Sequence, residues 1–239
     1  YYYIEHMIII SPSKNLNLSN EVYNNSTTAP DFTNETKTLI SKIKKLGVDD
    51  IKSIMKISHN LAKLNYDRFK DINKKNNVTK PAAFLFSGDT FNGLLIRSMD
   101  KVSLSYAQKK LRILSGLYGI LKPFDLIEPY RLEMGTKMED IVGCDLYSFW
   151  SETVTKQINI SIKNTNSKFL FNLASNEYSS VVNFSKLESQ IVNFDFKKKI
   201  GDNLSGIGMT IKKLRGAMAR FIISNQIQTI EKLESFNEF

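Results

Sequence analysis

Short apolar runs, each ended by turn-forming residues, interleave irregularly with helical periodicities along this chain, a pattern that fits one mixed α+β domain. Met7-Ile8-Ile9-Ile10 reads as a buried strand closed by the turn Ser11-Pro12-Ser13-Lys14. A polar, Asn-rich loop over 15–34 follows. Leu39, Ile43 and Leu46 then recur at helical spacing up to Gly47, a C-terminal stop. A short helix is expected over 49–57. Another follows Ser58, with Leu61, Leu64, Phe69 and Ile72 facing inward. Pro81 precedes Ala82–Phe86, read as a short strand ending at Ser87-Gly88-Asp89. Ser103 or Ser105 could cap a helix running to about Leu114, and 115–137 reads as a long turn-rich segment. A helix over 145–160, strands over Phe169–Leu173 and Gln190–Phe196, and a last helix over 209–225 complete the pattern. The chain shows neither an internal repeat nor a linker, so its 239 residues are expected to share one core. Residues 1–6 read as an N-terminal extension, with Met7 as a natural start and 7–239 as the domain.

Several function classes are disfavoured by what is scarce. No run of eighteen apolar residues exists, and Met7–Ile10 is too short for a signal-peptide core, so a cytoplasmic protein without a membrane span is expected. One cysteine, Cys144, and two histidines, His6 and His59, rule out an intrachain disulfide and leave a Cys/His zinc site short of ligands. No metal and no cofactor is expected. Carboxylates alone could hold iron, but an iron-storage role is disfavoured by this poverty of ligands.

Charge points the other way. The chain carries 33 Lys and Arg against 24 Asp and Glu, a net charge of +9, and its pI is about 9.4. Lysine bias explains part of the excess, yet the charge is segregated: 37–80, 97–137 and 197–220 contribute +8, +4 and +6, leaving −9 for the rest. A polyanionic partner or an acidic substrate is implied. Only six arginines stand among the lysines: Arg68, Arg97, Arg112, Arg131, Arg215 and Arg220. Each hints at a place where a planar, forked donor is needed.

Six blocks in order carry a family resemblance: Ile9–Lys14, Lys80-Pro81-Ala82 through Ser87-Gly88-Asp89, Leu111–Gly119, Pro129–Thr136, Asn172–Tyr178, and Lys213–Arg220. Together they resemble the YaaA family of peroxide-stress-resistance proteins, from Met7 to the end of the chain. The resemblance implies a single mixed α/β domain of the YaaA type, with a central sheet and surrounding helices. It also implies resistance to hydrogen peroxide, lowered intracellular iron, and DNA binding through a cleft. Two departures stand out: the family commonly has Ala where Ser13 stands, and it continues past the last helix, so a C-terminally truncated form is expected.

Three groups of residues could carry chemistry. Leu114–Gly119 puts two glycines in a short turn after an expected helix, and looks like the hairpin of a helix-hairpin-helix element whose N–H groups hold a phosphate. An ordinary glycine-rich turn explains it equally. Lys109, Lys110, Arg112, Gly116, Gly119 and Lys122 are the candidate contacts there. On the last helix Ile211, Leu214, Met218, Phe221 and Ile222 fall within an arc of about 100°. Lys212, Lys213 and Arg220 lie outside it with Gly216 among them, and Arg215 lies at its border. Small residues on a basic face let a ligand backbone approach, or let another helix pack closely. Lys212, Lys213, Arg215 and Arg220 are the candidate DNA contacts, on double-stranded or branched DNA read without base specificity by a monomer.

The third group sits after the strands. If those strands are parallel, Ser11, Lys14, Asp89, Asn176 and Glu177 gather in one crevice, where ligands bind in α/β sheets. Arg131 and Glu133, in the irregular segment Pro129–Thr136, complete the candidates for an enzyme acting on a small anionic substrate. A capping serine, a surface lysine and an internal Arg131–Glu133 ion pair are the plainer explanations of the same residues.

Overall fold

The apolar runs of the sequence come together as one sheet in the computed structural model, which describes residues 5–200, 203–205 and 208–237. In chain order the first elements are β1 (His6–Ile10), β2 (Asn15–Leu16), α1 (Thr33–Ile43), α2 (Val48–Met55), α3 (His59–Asp71), β3 (Lys80–Pro81), α4 (Ala82–Leu85), β4 (Phe86–Ser87), α5 (Asp89–Leu94) and α6 (Lys101–Lys110). Then come β5 (Leu111–Ser115), β6 (Gly119–Leu121), β7 (Leu126–Ile127), α7 (Glu139–Val142), α8 (Leu146–Asn164), β8 (Phe169–Asn172), α9 (Asn176–Ser179), β9 (Gln190–Asn193), β10 (Lys198–Ile200), β11 (Asn203–Ser205) and α10 (Gly208–Ser224). No described helix is long and apolar enough to cross a membrane.

The central sheet has the order β6-β5-β1-β8-β9. β1 runs parallel to β5 and β8, with Ile8 opposite both Leu111 and Phe171, and β8 runs parallel to β9. Only β6, at one edge, is antiparallel. Every residue of β1 and β5 is buried. Helices cover both faces of strands so placed, which is why they are continuous apolar runs and not alternating ones. Trp150 on α8 anchors the packing and satisfies its indole N–H on the Gly116 carbonyl at 2.9 Å.

Such runs also explain where sequence reading errs, because a buried strand and a buried helix segment share the same composition. The helix expected to reach Leu114 stops at Lys110, capped by Asp100 and not by a serine, and Leu111–Ser115 is a central strand. The helix-hairpin-helix reading fails with it. Residues 116–118 join two antiparallel strands, Ser115 pairing Gly119 and Ile113 pairing Leu121. Ala82–Leu85 is one helical turn between β3 and β4, not a strand. On α3 the buried stripe is Ala62, Asn65 and Phe69, while Leu61 and Leu64 are exposed. Asn65 tolerates burial because its amide donates to the Leu61 carbonyl at 2.8 Å.

The fold also takes in part of the expected extension. His6 is the first residue of β1 and stacks on Phe171, and the Glu5 carbonyl accepts the Lys168 N–H at 2.7 Å. Residues 1–4 lie outside the described residues. Most lysines of 37–80 are half-buried or exposed, as their helices predict, but Lys80 is buried. Its ammonium donates to the Asn17 and Ser19 carbonyls, both at 2.9 Å, and ties the loop after β2 to the core.

Candidate functional site

Parallel strands deliver their C-terminal ends to one edge of the sheet. β1 opens there into Ser11–Lys14, and β8 into Leu173-Ala174-Ser175 and α9. β5 ends against the irregular segment 129–136, where a Cβ on Gly116 would lie 2.3 Å from the Leu132 carbonyl oxygen. Backbone contact this close fixes Leu132 and Glu133 over the strand ends.

Side chains converge on that edge. The Ser175 N–H donates to Ser11 Oγ at 2.8 Å, and the Ser11 hydroxyl donates to Ser175 Oγ at 3.1 Å. The Ser13 hydroxyl donates to the Ser87 carbonyl, which draws the β2–β4 ribbon to the same edge. Lys14 Nζ lies 2.9 Å from Glu133 Oε1. Arg131 grips the same carboxylate with Nη2 at 2.8 Å from Oε1 and Nε at 3.3 Å from Oε2. Burial opposes the charge on Glu133, but the bonds and charges of Arg131 and Lys14 outweigh it and hold the carboxyl below its ordinary value. Behind them, burial and the nearby Arg131 charge both push Arg68 down. Tyr178 and Tyr130 line the floor, their phenols pushed up first by burial.

The cluster opens into a cavity of about 190 Å³ bordered by Lys14, Lys56 and Lys137 with Glu133 and Glu177. Glu177 accepts the Gly135 N–H at 3.4 Å. Of the residues expected in the crevice, Lys14, Arg131, Glu133 and Glu177 are thus brought together, while Ser11 pairs with Ser175 between the ends of β1 and β8. Asn176 is exposed beside Ser175, and Asp89 opens α5 after the Ser87–Gly88 contact with Ser13. Neither lines the cavity. Larger hollows lie elsewhere, one of about 600 Å³ along α8 and one of about 530 Å³ beside Arg97. Neither holds a residue of this cluster.

Sequence reading missed Lys56, Lys137, Ser175 and Tyr178, which are unremarkable until the chain folds. Arg68 carried the one usable signal, as an arginine among lysines. Among the described residues no three His, Cys, Asp or Glu side chains group as metal ligands.

The expected DNA contacts fare differently, because most of them are built into the fold. Gly116 lies against Leu132, and a Cβ on Gly119 would meet the Trp150 ring at 2.7 Å, so neither presents an open N–H cradle. Lys110 is buried, bonded to the Glu5 carboxylate and the Thr165 carbonyl. Arg112, 8% exposed, spends Nη1 on the Gln108, Lys109 and Leu111 carbonyls and Nη2 on Ser161. Lys122 is half-buried and pairs with Asp31 at 2.8 Å. Lys109, Lys212 and Lys213 are exposed.

On α10 the small residues serve helix packing. A Cβ on Gly216 would lie 1.8 Å from the Thr90 carbonyl oxygen, and one on Gly93 would lie 2.0 Å from that of Lys213. The backbones of α5 and α10 therefore touch, and Arg220 Nε donates to the Gly93 carbonyl at 3.1 Å. Arg215 is half-buried, and burial pulls its guanidinium down. The reading of Gly216 as a seat for a ligand backbone is corrected accordingly.

Fold and site together define a mixed α/β protein whose parallel strand ends carry a cation-rich cleft and no recognisable metal cluster among the described residues. The family model described as Peroxide stress protein YaaA matches residues 7–239, and the chain belongs to that family. A UPF0246 protein of Aliivibrio fischeri is 41% identical over 235 residues, 97% of this chain and 90% of its own length. A UPF0246 protein of Flavobacterium psychrophilum is 42% identical over 232 residues, 96% and 91% of the two chains. One from Legionella pneumophila is 40% identical over 235 residues, 97% and 91%.

Proposed function

We propose that this chain acts in the cytoplasmic response to peroxide as a DNA-binding protein that limits iron-dependent oxidative damage, meeting the phosphate backbone through the strand-end cleft without reading bases. One observation carries the reading: among the described residues Lys14, Lys56, Arg131 and Lys137 border the cleft together with two carboxylates, Glu133 and Glu177. Excess positive charge in a concave, partly desolvated place focuses a field on a polyanion. It also moves the expected contact surface from the 116–119 turn, whose glycines are buried, to residues that face an opening. The test is a titration of duplex, branched and single-stranded DNA at several salt concentrations, with the Lys56→Glu/Lys137→Glu pair as comparison. Affinity is expected to fall for all sequences alike, and the slope of log affinity against log salt to shrink by about 0.9 per lost phosphate contact. Unchanged binding in the double variant would remove the cleft from consideration.

A second reading, an enzyme acting on a small anionic substrate, draws on the paired Ser11 and Ser175 hydroxyls at the strand ends from which Lys14 also issues, three residues on. Binding at an enclosed small-ligand site would change little with salt, which separates the two.

A further inference from the structure

We propose that Lys14 and Arg131 form an oxyanion seat for a phosphate group, and that the Glu133 carboxylate occupies this seat in the free protein until that group displaces it. The inference rests on the cleft being the ligand-binding face, and adds what the cleft takes and what guards it.

Three features point to a placeholder. The first is the fork: Lys14 Nζ and Arg131 Nη2 both end on Glu133 Oε1, at 2.9 and 2.8 Å, while Arg131 Nε reaches Oε2 at the longer 3.3 Å. One carboxylate oxygen thus takes two cationic donors and the other takes one weak bond. A phosphate group brings more acceptor oxygens to the same donors, and guanidinium binds it through two parallel bonds. The second is charge. Lys14 and Arg131 share one carboxylate, and the Arg131 charge is felt as far as Arg68, so the cations outnumber the resident charge and an anion of higher charge is favoured over it. The third is freedom to exchange. The backbone at Leu132 is pinned against Gly116, so only the Glu133 side chain must turn. The Lys14 side chain, 58% exposed, can follow a ligand out, and both groups border the open cavity. The Lys14–Glu133 pair, exposed at its lysine end, contributes little to stability.

The experiment compares wild type with Glu133→Gln, which keeps the shape and loses the charge. Inorganic phosphate and a short DNA duplex are titrated separately at fixed ionic strength. Loss of the competing carboxylate is expected to tighten phosphate binding on the order of tenfold, with the duplex following in the same direction. If both probes bind wild type and the variant binds them no more tightly, the displacement proposal is overturned while the DNA-binding function stands. If the duplex binds and phosphate does not, the seat is overturned. If neither binds either protein, the cleft reading itself fails. Should Glu133→Gln not fold, wild type alone decides: the Arg131 Nε–Hε resonance is expected to move with phosphate and not with chloride at equal ionic strength. A resonance that ignores phosphate overturns the seat.

Discussion

Replacing Gly216 with alanine is expected to loosen the protein at the crossing of α5 and α10. The added Cβ would sit 1.8 Å from the Thr90 carbonyl oxygen and 2.8 Å from the Leu94 nitrogen. To restore the 3.4 Å of ordinary contact, the helices must part there by about 1.6 Å. Backbone atoms, unlike a flexible side-chain end, cannot turn aside. Overpacking of this kind costs about 1–3 kcal/mol. Parting the helices also stretches the Arg220–Gly93 bond, worth about 1 kcal/mol. Alanine recovers about 1 kcal/mol of helix propensity. A net loss of about 2 kcal/mol lowers Tm by about 4–8 °C for a chain of this size. Gly93→Ala meets the mirror contact with Lys213, so the double variant should lose less than the two singles together. Thermal unfolding by circular dichroism checks all three. A higher Tm for Gly216→Ala, as propensity alone would give, refutes the packing argument. Intact stability with weakened DNA binding would instead restore the glycine as a ligand-approach site.

Arg112→Ala should destabilise by about 2–4 kcal/mol in urea unfolding without changing the salt slope of DNA binding, because its guanidinium satisfies buried carbonyls and faces no opening. Asp125 is fully buried, and burial raises its carboxyl despite bonds from Thr28 and the Lys122 N–H. Its folded state therefore holds a proton more tightly than the unfolded chain, so its contribution to stability declines as pH rises through that window. Asp125→Asn should abolish the decline, as a urea series across pH would record. Glu133 has the opposite sign: its carboxyl is lowered, so the stability it adds is present above the unfolded value and lost as pH falls through the folded one. The acid limb of the same pH series should flatten in Glu133→Gln.

Some of this protein is written locally in its sequence. Met7–Ile10 and Phe169–Leu173 are short apolar runs ended by turn residues, and α1, α8 and α10 fall close to where helical spacing of apolar residues places them. Local rules suffice there because burial on one face leaves a pattern a short window can hold. Part of the strand-end grouping was legible too, since Lys14 and Glu177 each stand a few residues past an apolar run and border one cavity, whereas Asp89 and Asn176, chosen by the same rule, do not. What the sequence could not settle was the environment of each residue. Leu111–Ser115 is as apolar as a buried helix, and only pairing with β1 makes it a strand. Gly116 stands in a turn with the composition of a phosphate-binding loop and Gly216 on a basic helix face, yet the chain presses other backbone against both. Lys110 and Arg112 read as surface cations and are buried, because Glu5, Thr165 and Ser161 arrive from distant parts of the chain to meet them. Lys56 and Lys137 became site residues for the same reason: a cleft is assembled from segments far apart in sequence, and its membership is decided by long-range packing that no local pattern encodes.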